Sequence, residues 1–71
     1  MAEQLNTALA IIRLKQVQTR TGRSRSSIYA DAKVGRFPAP INIGPRAVGW
    51  LETEINEWLA ERIAASRKMA P

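Results

Sequence analysis

The sequence predicts one small, mainly helical domain with a single β-hairpin, and three observations lead to this prediction. Apolar residues recur at helical spacing in three segments. Glycines follow the first two segments, at positions where helices commonly end. Between the second and third segments, apolar residues alternate with period two around a glycine-proline turn. A chain of 71 residues has room for one such domain.

The first helix is predicted in the segment LKQVQTRTG, after a short apolar stretch. Ile11, Ile12 and Leu14 fit a short strand. Leu14 and Val17 are then three residues apart, which is a helical spacing, and helix-forming residues surround them. Gly22 stands where a helix often ends in a left-handed residue. We therefore expect a helix of about two turns that stops at this glycine.

The second helix is predicted to be narrow on its buried side. Ser24 is placed to cap its first turn, Ile28 and Ala32 form an inward stripe, and Gly35 ends it. The remaining face is polar and basic. Two short helices separated by a tight turn with glycine match the helix-turn-helix unit, whose second helix enters the major groove of DNA.

A β-hairpin is predicted in PAPINIGPRAVGW. The two prolines exclude a helix here and favour an extended entry. Gly44, Pro45 and Arg46 have turn chemistry, and Arg46 stands free at the tip. An isolated hairpin is marginal in water, so its apolar residues are expected to pack on the helices. These residues are Ile41, Ile43, Val48 and Trp50.

The third helix is predicted in LETEINEWLAERIAASRK. Its apolar stripe consists of Ile55, Trp58, Leu59 and Ile63. Tryptophans at periodic spacing beside aliphatic residues are usually core, so Trp50 and Trp58 are expected to be buried. Glutamates share another face, which DNA would repel and which is expected to point away from it; they are Glu54, Glu57 and Glu61.

Composition excludes several classes of function. The sequence has no cysteine and no histidine, so disulfides and metal sites built on thiolate or imidazole are excluded. We expect no enzyme and no cofactor, because the serines lack an evident base and most carboxylates lie in the last segment. The longest apolar run, residues 8–12, is too short to span a membrane, and we expect a cytoplasmic protein.

Charge indicates the partner. Residues 13–46 hold eight basic residues and one acidic residue, a net charge of +7, within a chain whose net charge is +5. A segment of this kind is the electrostatic footprint of a nucleic-acid binder, because a polyanion that binds it releases counterions. A solvated basic surface that keeps the protein soluble is the alternative.

Three motifs resemble the AlpA family of small prophage and genomic-island regulators. They are TG-x-SRSSIY, GRFP-x-P-x-x-x-G and V-x-W-x-x-x-E-I-x-x-W, found in this order within residues 13–63. The resemblance implies a winged helix-turn-helix of the excisionase or MerR type, with the second helix in the major groove and the hairpin wing on the backbone or minor groove. It also implies transcriptional regulation of a prophage. One position departs from the family: Arg23 stands where an aliphatic residue is common.

Carried over to this sequence, the resemblance implies a set of residues that contact DNA. Arg25 and Ser26 are the candidates for base or adjacent phosphate contact, and Lys33 for backbone contact. Ser24 fits a cap better than a DNA contact, whereas Tyr29 fits the core edge and the DNA face equally. The full set of expected DNA-binding residues is Arg20, Arg23, Arg25, Ser26, Ser27, Tyr29, Lys33, Arg36 and Arg46.

Domain limits and partners complete the expectations. Residues 1–10 are predicted to form a flexible arm, 11–64 the DNA-binding domain and 65–71 a flexible tail. The expected partner is double-stranded DNA, bound side by side by copies of the protein in the bacterial nucleoid. Two alternatives stay open: an excisionase-like accessory factor that bends attachment-site DNA, and an interaction module that docks on RNA polymerase or integrase.

Overall fold

Six elements follow one another within residues 9–69, the part of the chain that the computed structural model describes. The strands form one antiparallel sheet in the order β1-β3-β2. The predicted fold class is confirmed: the chain is mainly α with a small β-hairpin, arranged as a winged helix-turn-helix. The elements are β1 (Ile11–Ile12), α1 (Leu14–Thr21), α2 (Arg25–Lys33), β2 (Ile41–Gly44), β3 (Ala47–Leu51) and α3 (Glu52–Met69).

The first helix has the limits that local chemistry predicts. Leu14 belongs to α1 and not to the preceding strand, which holds only two residues. The backbone N–H of Arg13 donates to Gln16 Oε1 at 3.2 Å. At the other end, Gly22 adopts a φ of 71° and its N–H donates to the Gln18 carbonyl at 2.8 Å. This left-handed glycine ends the helix, as predicted.

The second helix is also delimited by its caps. Ser24 Oγ accepts a hydrogen bond of 3.2 Å from the backbone N–H of Ser27, which confirms Ser24 as the N-cap. At the C-terminal end, Gly35 has a φ of 80° and donates to the Ala32 carbonyl, while the Arg36 N–H donates to the Asp31 carbonyl at 2.8 Å. These two bonds form a Schellman motif, so the predicted stop at Gly35 is confirmed.

The core lies between the helices and one face of the sheet. Trp50 is completely buried, and its indole N–H donates to the Pro38 carbonyl at 2.9 Å. Trp58 is only half-buried: it packs edge-on against Phe37, with centroids 4.8 Å apart, and donates to the Arg36 carbonyl. The prediction of a core tryptophan is thus confirmed for Trp50, while Trp58 lies at the core's edge. The buried apolar residues are Ile12, Val17, Ile28, Phe37, Trp50 and Ile55.

The hairpin places its isoleucines on the face of the sheet away from the helices. Ile41 pairs with Gly49, and paired residues lie on the same face of a sheet. Since Gly49 and Trp50 are consecutive in β3, Ile41 lies on the face opposite to the one on which Trp50 enters the core. Ile43 is 43% exposed. The prediction that the apolar residues of the hairpin pack on the helices is therefore confirmed for Val48 and Trp50, which contact the core, and was wrong for Ile41 and Ile43.

A β-bulge is the physical reason for this difference. Gly44 pairs with Ala47 and Asn42 with Val48, so one extra residue, Ile43, enters β2 between the two pairs. Relative to the pair at the turn, this shift of one residue moves the side chains of β2 on the far side of the bulge to the other face of the sheet. The Asn42 side chain supports the bulge, because its Oδ1 accepts a bond of 3.1 Å from the Gly44 N–H.

The third helix begins directly after β3 and continues to Met69, where the sequence predicted a flexible tail from residue 65. Ile55 is buried, and Trp58 and Leu59 pack against the core, but Ile63 is 50% exposed. The predicted apolar stripe therefore stops at Leu59, because the helix extends beyond the body of the domain. No helix within residues 9–69 is both long enough and apolar enough to cross a membrane. Most of the predicted arm, residues 1–8, lies outside the described residues.

Candidate nucleic-acid interface

Helix α2 is buried along one side only. Ile28 is completely buried, and Ala32 packs beside the core. On the other flanks, Arg25, Ser26 and Lys33 are exposed. Since Ile28 and Ala32 form the buried side of the helix, its opposite side is accessible along most of its length to a binding partner. Three of the predicted site residues thus share one accessible helix.

The serines at the start of α2 divide into two roles. Ser24 Oγ and Ser27 Oγ lie 3.1 Å apart, and Ser27 is half-buried within the cap. Ser26 is exposed. The predicted pair of serines is therefore split: Ser27 stabilises the helix N-terminus, and Ser26 offers its hydroxyl to the solvent.

Tyr29 lies at the edge of the core and supports Arg25. Its ring meets Trp50 edge-on, with centroids 5.9 Å apart and an interplanar angle of 66°. The Arg25 guanidinium carbon lies 5.6 Å from the centroid of the tyrosine ring, a cation-π contact. Tyr29 therefore packs at the edge of the core, and its ring contacts the guanidinium of Arg25.

Arg20 connects α1 to α3. Its Nη1 lies 3.2 Å from Glu52 Oε2, and its Nη2 donates to the side-chain oxygen of Asn56. The two ionic side chains are 33% and 43% exposed. The partners are more than thirty residues away in the sequence, so no local pattern indicates this pair.

Arg23 connects the turn between α1 and α2 to two other elements. It forms an ion pair with Asp31, and both side chains are less than one quarter exposed. Its guanidinium also lies 5.7 Å from the centroid of the Trp58 ring. Arg23, for which the sequence predicts a lost core contact, thus places a cation beside an aromatic ring.

The hairpin presents Arg46 at its tip. The side chain is exposed, and the backbone has a φ of 57°. Residues other than glycine and asparagine rarely adopt this left-handed conformation. Arg36 is exposed at the start of the loop that leads from α2 to β2. One arginine therefore lies at the tip of the hairpin and the other in the loop that precedes it.

Two exposed residues of the α2 region, Ala30 and Val34, were absent from the predicted set. Ala30 is exposed, and Val34, the C-terminal cap, is 65% exposed. The signal that finds them is helical periodicity: Ala30 follows the buried Ile28 by about 200° around the axis. Because both residues are aliphatic, a pattern of polar and charged side chains does not indicate them.

Residues 10–63 match the family described as "Prophage CP4-57 regulatory protein (AlpA)". The chain is 40% identical over 62 residues to "DNA-binding transcriptional activator AlpA" of Escherichia coli, a match that covers 79% of this chain and 89% of that protein. It is also 37% identical over 57 residues to "Uncharacterized protein ORF88" of Enterobacteria phage P4, covering 80% of this chain but only 65% of the phage protein. The family match spans most of the chain, and we conclude that this protein belongs to the AlpA family of prophage regulatory proteins.

Proposed function

We propose that this protein is a sequence-specific regulator of transcription in a prophage or genomic island, and that it binds double-stranded DNA. Helix α2 enters the major groove, and the hairpin wing follows the backbone or the minor groove. The observation that carries the proposal is the one-sided burial of α2, which leaves Arg25, Ser26 and Lys33 accessible while Ile28 holds the helix to the core. The name of the Escherichia coli relative supports it.

The exposed residues have distinct proposed roles. Arg25 and Ser26 lie in the first turn of α2, from which a recognition helix reaches base edges or adjacent phosphates. Lys33 lies in the last turn and contacts a phosphate. Arg46 reaches the backbone or the minor groove from the wing, and Arg36 contacts the backbone near its base.

The remaining predicted residues act mainly through the fold. Ser27 donates its backbone N–H to the N-cap Ser24, and Tyr29 orients Arg25. Arg20 and Arg23 lie close to the helix-turn-helix, where they add positive potential near the flanking backbone. Their ion pairs with Glu52 and Asp31 reduce the charge that a phosphate meets. We therefore assign the strongest contacts to Arg25 and Arg46.

The protein acts with its own side chains, without a cofactor and without catalysis, in the bacterial cytoplasm at the nucleoid. One helix and one wing read a short site, so specificity is expected to come from copies bound side by side. Contact with RNA polymerase would activate transcription, and contact with integrase would serve recombination. An excisionase-like factor that bends attachment-site DNA would use the same face.

A protein-interaction module is the second candidate, and one observation favours it. A groove between α3 and the loop that leads to β2 combines carboxylates with an aromatic ring. Glu54, Glu57 and Glu61 line one side, and Trp58 and Phe37 contribute apolar surface. A basic segment of a partner protein would fit this chemistry.

The proposed function is tested by fluorescence anisotropy with DNA from the upstream and attachment regions of its own element, against scrambled duplexes at several salt concentrations. We expect sequence-preferring binding that weakens with salt, and loss of the preference in Arg25→Ala. Arg67→Ala is the control: it removes the same charge from the exposed end of α3 and should leave the preference intact. Equal and weak binding to every duplex, unchanged by Arg25→Ala, would favour the interaction module.

A further inference from the structure

Two aliphatic side chains form an exposed strip on the outward face of the recognition helix. Ala30 lies nearly opposite to the buried line of Ile28 and Ala32, and Val34 follows it after one further turn. Neither residue belongs to the core or packs against it. The strip continues the line of Ser26, one turn earlier.

The fold itself does not use Val34. At 65% exposure it is more exposed than any other large apolar side chain within residues 9–68. The other exposed large apolar residues lie elsewhere: Leu9 precedes β1, Ile11 and Ile43 cover Gly49 on the outer face of the sheet, and Ile63 lies on the part of α3 beyond the body of the domain. A polar residue at this cap would leave the core unchanged, so an aliphatic side chain here suits a surface that covers it.

We propose that Ala30 and Val34 read the 5-methyl groups of thymines in the major groove, an inference that rests on the proposed binding of α2 to DNA. The major-groove edge of thymine is the only base edge that carries a methyl group, and apolar side chains contact it. Ala30 is small, so the helix backbone approaches the base pairs closely at this turn. The binding site is therefore expected to contain thymines at two fixed positions.

Helix geometry sets the distance between these thymines. Positions four apart on a helix are separated by about 6 Å along the axis, which corresponds to about two base-pair steps of 3.4 Å. Ser26 and Lys33 flank the strip with a hydroxyl and an ammonium group. The apolar contacts would select thymine, while the polar groups bind the neighbouring base edge or phosphate.

The decisive test changes the DNA and leaves the protein intact. Wild-type protein selects sites from a randomised duplex pool, and each thymine of the selected site is then replaced by deoxyuridine, which lacks only the methyl group. At the two thymines that the strip contacts, affinity should fall by about fourfold each, the loss expected for one buried methyl group. Replacement at other thymines should have no effect.

Protein variants assign each methyl group to its side chain. In Val34→Ser the uracil penalty at one position should disappear, and in Ala30→Gly the penalty at the other. Ile63→Ser is the matched control, because it makes the same kind of change at an exposed helical residue away from α2, and it should keep both penalties. Because Ala30→Gly weakens the helix, its folding is checked by thermal unfolding.

The outcomes separate this inference from the proposed function. Selected sites with thymines whose uracil forms bind more weakly in a Val34-dependent manner support it. Selection of a defined site that tolerates uracil throughout overturns the methyl contact and leaves DNA recognition by α2 in place. Failure to select any site overturns both.

Discussion

Two pairs of arginines in the same basic segment differ in what surrounds them. Arg20 and Arg23 form ion pairs with Glu52 and Asp31, and Arg23 also lies over Trp58. Arg25 and Arg46 are exposed, one at the start of α2 and one at the tip of the hairpin. The net charge of the segment therefore includes two kinds of arginine: those paired with carboxylates of other parts of the fold, and those exposed to solvent. The comparison predicts that the first pair contributes mainly to stability and the second to DNA affinity.

The largest effect is expected when the ion pair of Arg23 is broken. Asp31→Ala leaves a largely covered guanidinium without its carboxylate and should lower the free energy of unfolding by about 1–3 kcal/mol. It also releases positive charge, so binding to any duplex should become tighter at low salt. Urea unfolding measures the first effect and anisotropy the second.

Arg23→Ala is the matched control for this prediction. It should lower stability, and because it leaves the Asp31 carboxylate without its partner, it should weaken binding to any duplex at low salt about as much as Asp31→Ala tightens it. The double variant should be less destabilised than the two single changes added together, because the partners interact directly. A large loss of DNA affinity in Arg23→Ala would instead place this arginine on the phosphate backbone.

A smaller effect is expected at the wing tip. Arg46→Ala should weaken binding to all duplexes similarly and reduce the slope of log affinity against log salt by about one unit. Stability should change little, because the side chain is exposed. A loss confined to one DNA sequence would contradict a backbone contact and indicate base recognition by the wing.

The conformation of the same residue gives a separate prediction. With a φ of 57°, position 46 favours glycine over any residue with a Cβ. Arg46→Gly should therefore be more stable than Arg46→Ala by about 1 kcal/mol, with the same loss of DNA affinity. Equal thermal stability of the two variants would show that the turn adjusts without strain.

The smallest effect is expected at Arg20. Its ion pair with Glu52 is about one third exposed on the arginine side, and surface pairs of this kind contribute about 0–1 kcal/mol. Arg20→Ala should cost a fraction of this range after screening by salt, and sequence preference should remain. Loss of preference equal to that of Arg25→Ala would remove the distinction between the two pairs of arginines.

Sequence reasoning succeeded where a local signal decides the conformation. Gly22, Ser24 and Gly35 were predicted as caps because each supplies a backbone geometry or an oxygen that the adjacent helix end requires. The burial of Ile28 follows from helical spacing, which also leaves the opposite face of α2 accessible. For Tyr29 the sequence left two alternatives, and its contact with Trp50 at the edge of the core is visible only in the structure.

The sequence alone thus determined the helices, the ends of α1 and α2, the hairpin and the basic character of one segment, because these depend on neighbours a few residues apart. The tertiary structure decided which face each strand turns inward and which arginines are paired. The bulge at Ile43 reverses the faces of β2, and Arg20 meets Glu52 only because the fold brings the end of α1 near the start of α3. The ion pair joins residues 32 positions apart, for which spacing along the chain carries no signal. The bulge is local, but strict alternation of apolar residues does not reveal the one-residue shift in register that it makes.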